Sequence, residues 1–558
     1  MAPPTVPTVT KSRTPALATR RSNRIRRHIW RRLDRLALQL DTAPEAVLRE
    51  LTHIMSDFRR AQVSLELSAK QSYAALHWLS SLQIDAANRV GSVESLKLGI
   101  TWAEEVHKAD DAAERLAVLA GYNMANGLLA IIELDDQEYA KIPSTKAGLK
   151  RAPFKLQHRE DLRRLRGLFH RTAQSQWVSP LERSKALTNL GNVLDESSRW
   201  VEAYESYSQA LSAFPFNGNA AGNAAELLLR RMRRGGGLPG HYAAVYNDYV
   251  LKARAFRLYT VAIAGEAAAA RWDELPLAED VGHHSHEGNV LDEYQQWISR
   301  HRLALSGAIE GLGSDNPQWD DAQPAGVFTQ ANSASIPAIF SAMNILKAEY
   351  LVARRLVFDG ESQLLALFRQ SENAETFDTG SYVHTSEYEL YGQAPARLIL
   401  AQRAAVYILD KVAVAANLHF HTGLKPAAIS FRNYWFDRGS GALRKKIPRP
   451  AKSTDASALL ALAELSFDMD IEGLYSEATA LRNAGTHRLV YLHLLEPGGV
   501  SEEAQNTVGL FELIDGCHET LQIIRSAYLY LLDLLDLLAE EVSENSHAVV
   551  HEYVPMQG

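Results

Sequence analysis

Apolar residues recur three or four positions apart along most of this chain, which is the spacing of one face of an α-helix. The pattern runs from about residue 41 to residue 310 without convincing strand alternation, and it resumes from 329 to 545. Between these regions, 311–328 is rich in the helix breakers glycine and proline. We therefore predict an all-α protein with helical domains at 41–310 and 329–545, joined by a linker at 311–328. A fragment that starts near residue 326 is expected to fold alone.

The two ends of the chain lack this apolar pattern. Residues 1–40 form a predicted N-terminal arm, basic and partly disordered, in which almost every charge from Lys11 to Arg35 is positive. Such an arm can bind phosphate, but a solvated tail leading into a helix is the more common outcome. A transit peptide also fits the composition, as the less favoured interpretation. Residues 546–558 are predicted to be a C-terminal tail.

One stretch of the first helical region has the spacing of a two-helix repeat. Its small, apolar and helix-ending positions are Leu187, Leu190, Gly191, Leu194, Ala203, Tyr207, Ala210 and Pro215. Small residues at Gly191 and Ala203 allow two helices to approach closely, and Pro215 ends the second helix. The pattern resembles the tetratricopeptide repeat, whose arrays present a concave surface to peptides or proteins. The resemblance implies a short helical solenoid over 41–310 that binds a protein or peptide.

A further pattern predicts one long helix late in the chain, from about Asp470 to Pro497. Asp468 or Asp470 would cap its first turn, and Pro497 followed by two glycines would end it. On a helical wheel its apolar stripe comprises Ile471, Leu474, Ala478, Leu481, Gly485, Leu489 and Leu492. This stripe is expected to pack into a core.

Three polar residues of the same predicted helix lie outside the stripe: Arg482, Asn483 and His487. Arginine offers a fork of donors that suits phosphate, and histidine changes its protonation near neutral pH. Together they supply charge stabilisation and proton transfer, which phosphodiester cleavage needs when no metal takes part. The plain alternative is an exposed polar helix face, because an Arg and a His at this spacing occur by chance in many proteins.

The run Leu-Arg-Asn-Ala-Gly-Thr-His resembles the Arg-Asn-x-x-x-His signature of HEPN domains. These domains are helical bundles, and many are metal-independent endoribonucleases that act as dimers. The resemblance implies that Arg482, Asn483 and His487 are catalytic, with Thr486 and Arg488 in support. A related HEPN class, the targets of nucleotidylation, has a Tyr two residues after the His, but this chain has a leucine there. Repeats followed by this domain also resemble a branch of bacterial HEPN proteins.

The composition limits the remaining possibilities. The net charge of −7 argues against a surface that binds nucleic acid everywhere. A single cysteine, Cys517, excludes an intrachain disulfide and suits a reducing cytoplasm, where we expect the protein to act. We see no secretory signal and no uncharged apolar run of membrane-spanning length, so no membrane partner is predicted.

A basic loop after the aromatic segment Phe431–Phe436 is the predicted local RNA contact. Its positive residues are Arg444, Lys445, Lys446, Arg449 and Lys452. The aromatic segment could stack on bases, but core packing of Phe431 and Trp435 is the better interpretation. A loop with His283, His284, His286 and Glu287 could ligate a metal, yet neighbouring histidines are more often simply solvated. We predict no metal and no cofactor.

These observations leave two hypotheses of different kinds. The first is a metal-independent HEPN endoribonuclease, homodimeric through the domain at 329–545. It would be a toxin or antiviral-defence effector regulated by the repeats. The second is a non-catalytic scaffold whose repeats and HEPN bundle bind RNA or a protein partner. The complete Arg-Asn-x-x-x-His motif favours the first.

Overall fold

The computed structural model describes sixteen segments of the chain. They are residues 28–63, 67–140, 157–234, 239–279, 291–310, 320–324, 326–329, 337–368, 380–383, 389–437, 442–447, 457–470, 473–476, 490–494, 507–543 and 549–552. Helices dominate these segments, and the few strands are three or four residues long. The predicted all-α class is confirmed.

The contacts divide the chain into two compact units. The first unit comprises Met1–Lys141 with Arg164–Ala186, and the second comprises Ile142–Arg163 with Leu187–Gly558. The predicted linker at 311–328 does not coincide with this division, because both sides of it belong to the second unit.

In the first unit, helices that follow one another in the chain pack against each other. Its helices are α1 (28–39), α2 (Pro44–Val63), α3 (Ala69–Val90), α4 (Val93–His107) and α5 (Glu114–Ala140). Two further helices contribute residues to both units: α6 (Arg159–Gln174) and α7 (Pro180–Glu196). Ser68 caps α3 with a full capping box, and Gly91 ends it at a φ of 73°. That left-handed conformation favours glycine, so the local sequence determines the tight turn into α4.

One helix of this unit has the length and composition of a membrane span, contrary to our reading of the sequence. The stretch is Glu114–Asp136 in α5, and 50% of its apolar window is buried against the rest of the protein. Core helices of soluble proteins can have the same length and apolar composition, so one such helix does not identify a membrane protein. The absence of a membrane partner stays a prediction.

The second unit begins with short helices that follow α7. They are α8 (Trp200–Ala213), α9 (Gly218–Arg233), α10 (Pro239–Ala255), α11 (Arg257–Ala264), α12 (Glu266–Asp273) and α13 (Glu293–His301). Gly191 of α7 faces the ring of Tyr207 in α8 so closely that an added Cβ would lie 2.5 Å from the ring carbon Cε1. The small residue therefore permits the close helix contact that the spacing predicted. The assignment of 41–310 as tetratricopeptide repeats stays a prediction.

The remaining helices of the second unit form the C-terminal bundle. It contains α14 (Ala338–Phe368), α15 (Gln393–Phe420), the short α16 (Phe431–Tyr434), α17 (Ser457–Asp468) and α18 (Leu510–Ser543). Between α15 and α16 lies one 3-10 turn, Pro426–Ala428. Gly360 lies inside α14, eight residues before its end. An added Cβ there would lie 3.0 Å from Leu398 of α15, so the glycine serves helix packing.

Two small sheets were not predicted. Strand β1 (Gly326–Thr329) pairs antiparallel with β4 (Val549–Glu552), which joins the predicted linker to the predicted tail. Strand β2 (Tyr491–His493) pairs parallel with β3 (Thr507–Gly509). The predicted helix from Asp470 to Pro497 is therefore wrong at its C-terminal end, since a short apolar run fits a strand as well as a helix. Leu510–Ser543 form the single long helix α18.

Buried arginines tie the residues before 311 to the C-terminal bundle. Arg525 of α18 donates to the carbonyl oxygens of Ala304, Ser306 and Ala308 at 2.7, 3.2 and 3.1 Å. Arg354 of α14 donates to a further carbonyl of that segment at 2.9 Å, and it is 3% exposed. A buried guanidinium is costly when it loses its acceptors. We therefore revise the expectation that a fragment from residue 326 folds alone.

Candidate functional site

The predicted catalytic residues lie outside the described part of the chain. Arg482, Asn483, Thr486, His487 and Arg488 all fall within 477–489. Their assignment stays a prediction. The structure does describe the residues that precede this segment, 473–476, and those that follow it, 490–494.

The flank before the motif is a tight turn after α17. Asp468 is the last residue of α17, so it does not cap a following helix as predicted. The backbone N–H of Tyr475 donates to the carbonyl oxygen of Asp468 at 2.9 Å. A Cβ on Gly473 would collide with that same carbonyl, so the turn requires glycine. The chain is thereby reversed seven positions before Arg482.

A buried charged cluster fixes this turn. Its five residues are Arg199, Glu202, Asp468, Tyr475 and Tyr530. Arg199 and Asp468 form an ion pair in which both side chains are 0% exposed. The Arg199 Nε atom also donates to Glu202 at 2.9 Å, and the hydroxyls of Tyr475 and Tyr530 donate to Glu202 at 2.5 and 3.0 Å. Every charge in the cluster thus has hydrogen-bonded partners.

The electrostatics keep Arg199 charged despite its complete burial. Burial alone would lower the pKa of Arg199, but the carboxylates of Glu202 and Asp468 outweigh it and hold that pKa well above its ordinary value. Burial and the Glu202 carboxylate also raise the pKa of Tyr475, which therefore stays a neutral hydrogen-bond donor. The cluster is a closed arrangement of one cation, two anions and two hydroxyls.

The flank after the motif is strand β2. The N–H of Leu390 donates to the carbonyl oxygen of Leu492 at 2.7 Å, and Leu492 is 2% exposed. The His493 Nε2 atom lies 3.9 Å from a carboxylate oxygen of Glu389. Pairing with β3 and these contacts hold strand β2, which begins at Tyr491, three residues after Arg488. The predicted catalytic segment is therefore anchored in the second unit at both ends.

A cleft of about 360 Å³ lies beside the first flank. Its lining includes Met469, Asp470, Asp410 of α15 and Arg432 of α16. Arg432 and Asp470 form an ion pair at its edge. The N–H of Phe431 donates to the Asp410 carboxylate at 2.8 Å, which sets the start of α16. The cleft thus presents both charges beside the end of α17.

The aromatic segment belongs to the core. Phe431 and Trp435 are 2% and 0% exposed, and their ring centroids are 5.7 Å apart in an edge-to-face arrangement. The core-packing interpretation is confirmed for these two residues. Stacking on bases is not available to side chains buried in this way.

The predicted RNA-binding loop is described in part. Arg444 donates to the carbonyl oxygens of Tyr434 and Phe436 at 2.6 and 2.7 Å, so its guanidinium closes the loop on itself. Lys446 donates to the Thr422 carbonyl at 3.0 Å, and Lys445 is exposed. Arg449 and Lys452 lie outside the described residues. RNA binding by this loop stays a prediction, and Lys445 is the described member best placed for it.

Sequence reasoning missed two groups of polar residues. The first is the charged cluster, in which Arg199 and Asp468 are far apart in the sequence, and the local signal at Asp468 suggested a helix cap instead of a buried ion pair. The second is the group of His301, Glu361 and His518, whose donor atoms lie close enough to share a metal ion. The loop at His283 to Glu287 that the sequence suggested for a metal lies outside the described residues.

Residues 330–537 match the model of the LA2681-like HEPN family. The C-terminal bundle is a HEPN domain. The matched range includes the Arg-Asn-x-x-x-His motif, so the resemblance drawn from the sequence is confirmed at the level of the domain. No curated protein and no solved structure matches the chain significantly. The family match stops short of residues 41–310, for which the repeat assignment still rests on the sequence.

Proposed function

We propose that this protein is a metal-independent endoribonuclease whose catalytic residues are Arg482, Asn483 and His487 of the HEPN domain. The observation that carries the proposal is the complete Arg-Asn-x-x-x-His motif inside a domain matched to a HEPN family. The anchoring of both flanks supports it, because a catalytic segment has to be held in one geometry to orient its groups. Thr486 and Arg488 support these three residues.

The proposed chemistry is the transfer of a phosphodiester to the neighbouring ribose hydroxyl. The 2′-oxygen attacks phosphorus, the bond to the 5′-oxygen breaks, and the fragments end in a 2′,3′-cyclic phosphate and a 5′-hydroxyl. His487 takes the proton from the attacking 2′-hydroxyl or gives a proton to the leaving 5′-oxygen. Arg482 stabilises the charge that accumulates on the phosphate oxygens, and Asn483 orients the imidazole or the phosphate.

The proposed active form is a homodimer. In a helix, Arg482 and His487 would be separated by roughly 140° around the axis and about 7.5 Å along it. One helix can hardly direct both side chains at a single phosphorus atom. Two copies related by a two-fold axis place an Arg and a His from each protomer around one shared cleft. The HEPN domains would supply that interface.

The proposed biological role is that of a cytoplasmic toxin or antiviral-defence effector. The region at 41–310 would act as its regulator by binding a protein or peptide ligand. Lys445 and the neighbouring basic residues of its loop would contact the RNA backbone, which suits a protein with an overall negative charge. These roles follow from the proposed nuclease activity and depend on it.

The test is cleavage of mixed RNA by the purified full chain in EDTA, followed by analysis of the fragment ends. We expect cyclic phosphate ends from wild type. His487→Ala and Arg482→Ala should each lower the rate by at least about a hundredfold, the usual scale for losing a general acid–base or a charge-stabilising group. His53→Gln is the matched control, because it removes an exposed imidazole of α2 and should leave the rate unchanged.

Two results would contradict the proposal. Equal cleavage by wild type and both motif variants would place the activity elsewhere. RNA binding without cleavage by wild type would favour the scaffold function instead. The dimer has its own test, in which excess His487→Ala protein is mixed with wild type. Mixed dimers should change the activity beyond simple dilution, whereas full activity from a monomer would exclude the shared cleft.

A further inference from the structure

Three side chains from three helices of the second unit converge at a half-buried point. His301 is the last residue of α13, Glu361 lies in α14 and His518 lies in α18. The His518 Nε2 atom is 2.8 Å from Glu361 Oε2, and the ring centroids of His301 and His518 are 4.1 Å apart. One donor atom from each residue lies within 4.8 Å of the other two. The group combines two imidazoles and one carboxylate.

We propose that His301, Glu361 and His518 bind one divalent first-row transition metal ion, and that Zn²⁺ is the ion they take. Imidazole nitrogen and carboxylate oxygen are ordinary ligands for Zn²⁺. In a tetrahedral site with bonds of about 2.0–2.2 Å, ligand atoms lie roughly 3.4 Å apart. The present spacing, 2.8 Å for the hydrogen-bonded pair and at most 4.8 Å overall, brackets that value. Side-chain rotations that move the ligand atoms by about 1 Å would bring all three to this separation.

A fourth residue holds the carboxylate in place. The Trp297 Nε1 atom donates to Glu361 Oε2 at 2.9 Å. The Trp297 ring also packs against both imidazoles, with centroid distances of 5.3 Å to His301 and 5.5 Å to His518. Groups behind the ligands commonly fix their orientation and raise metal affinity in this way. Trp297 is therefore a positioning residue for the site.

The site is accessible and has the right charge. The side chains of His518 and Glu361 are each 13% exposed, so an ion can enter from solvent while its ligands stay held by packing. One carboxylate and two imidazoles can bind a cation, and three protein ligands leave a fourth position for water. A metal ion bound here would stabilise the packing of the three helices that carry its ligands.

The consequence lies in what the ion would join. Glu361 and His518 belong to the HEPN domain, whereas His301 precedes it in the chain. A bound ion would therefore clamp α13 to two helices of the HEPN domain within the second unit. An ion that binds the folded state and not the unfolded chain stabilises the fold in proportion to its concentration. This inference does not depend on the proposed nuclease, which works in EDTA.

The experiment measures binding to the full chain after removal of metal by chelation and dialysis. Titration with Zn²⁺ should show one tight ion per chain and a rise in Tm, and Co²⁺ should give the visible absorption of a low-coordinate site. Glu361→Gln and His518→Gln should each lose the tight ion. Trp297→Phe keeps all three ligands and should weaken binding by about 10–100-fold.

The matched control removes the three neighbouring histidines that the sequence suggested. The triple variant His283→Ala, His284→Ala and His286→Ala should keep the tight ion and the rise in Tm. Wild-type affinity in both ligand variants would overturn the proposal, and so would loss of the ion in the triple variant. The absence of a tight ion from wild type would also overturn it. Tm in EDTA shows whether a variant folds, and His301→Gln replaces any variant that does not.

Discussion

Two polar clusters of the second unit show different ways of fastening helices together. The charged cluster around Arg199 is closed, since Arg199 and Asp468 are 0% exposed and each oxygen of Glu202 accepts from a tyrosine. The histidine cluster around Glu361 is half-buried, and Glu361 Oε2 accepts from His518 and Trp297. The first is complete within the chain. The second has nitrogen and oxygen atoms that can also ligate a metal ion.

The difference follows from charge and burial. A guanidinium removed from water has to be matched by carboxylates in place at all times, because an unpaired buried charge is very costly. Imidazoles at a partly exposed position stay in contact with water and carry a smaller cost, so the site can remain without a bound ion. The charged cluster therefore fixes the turn before the motif at all times. The histidine cluster would hold its three helices together most firmly when an ion is bound.

The largest expected effect comes from removing the partners of the buried arginines altogether. A fragment of residues 326–558 should show no cooperative thermal unfolding, because Arg354 and Arg525 lose the carbonyl acceptors that precede residue 311. A fragment of 157–558, which keeps α6 and α7 whole, is the control and should unfold cooperatively. Circular dichroism during heating measures both. A folded 326–558 would restore the domain boundary that the sequence predicted.

Breaking the charged cluster at one residue is expected to be the next largest effect. Asp468→Ala leaves Arg199 buried without one of its carboxylates and should cost about 3–5 kcal/mol of unfolding free energy. Arg432→Ala breaks the half-exposed pair with Asp470 close by and should cost at most about 1 kcal/mol. Urea unfolding of both variants measures the difference. Equal costs would mean that the buried pair has no special weight.

A half-buried imidazole outside both clusters, that of His419, extends the comparison to pH. Burial lowers the pKa of His419 from 6.5 to about 4. The unfolded chain takes up this proton as the pH falls below 6.5, but the folded chain resists until about pH 4. Stability is thus complete above pH 6.5 and is lost as the pH falls toward 4, by on the order of 1–3 kcal/mol.

The variant His419→Gln should therefore lose less stability than wild type between pH 6.5 and pH 4. The measurement is urea unfolding at several pH values in that window. His53→Gln, which removes an exposed imidazole, is the control and should follow wild type. Parallel curves for all three proteins would show that His419 does not titrate as its burial requires.

The smallest expected effect belongs to the histidine cluster without metal. Glu361→Gln in EDTA keeps an oxygen that accepts from Trp297, and it should cost on the order of 1 kcal/mol. Thermal melting in EDTA beside Asp468→Ala gives the direct contrast between the clusters. A loss as large as that of Asp468→Ala would mean that the Glu361 carboxylate is needed as an anion even without an ion to bind.

Local rules predicted the parts of this protein in which each residue meets its near neighbours. Helical periodicity gave the all-α class, and small residues such as Gly191 marked a close helix contact. They failed where a short segment fits two structures. Tyr491–His493 has apolar residues that suit a helix, but pairing with Thr507–Gly509 makes it a strand. That pairing partner lies beyond a break in the pattern, so no local rule could find it.

The sequence by itself determined the helical class, the HEPN resemblance and the motif at Arg482 to His487, because each depends on residue types at short, fixed spacings. Tertiary structure alone decided which distant polar groups meet. Arg199 reaches Asp468, and His301 reaches His518, across more than two hundred positions of the chain. The physical reason is that a buried polar group is stable with any partner of suitable charge and geometry, and only the packed fold selects which one.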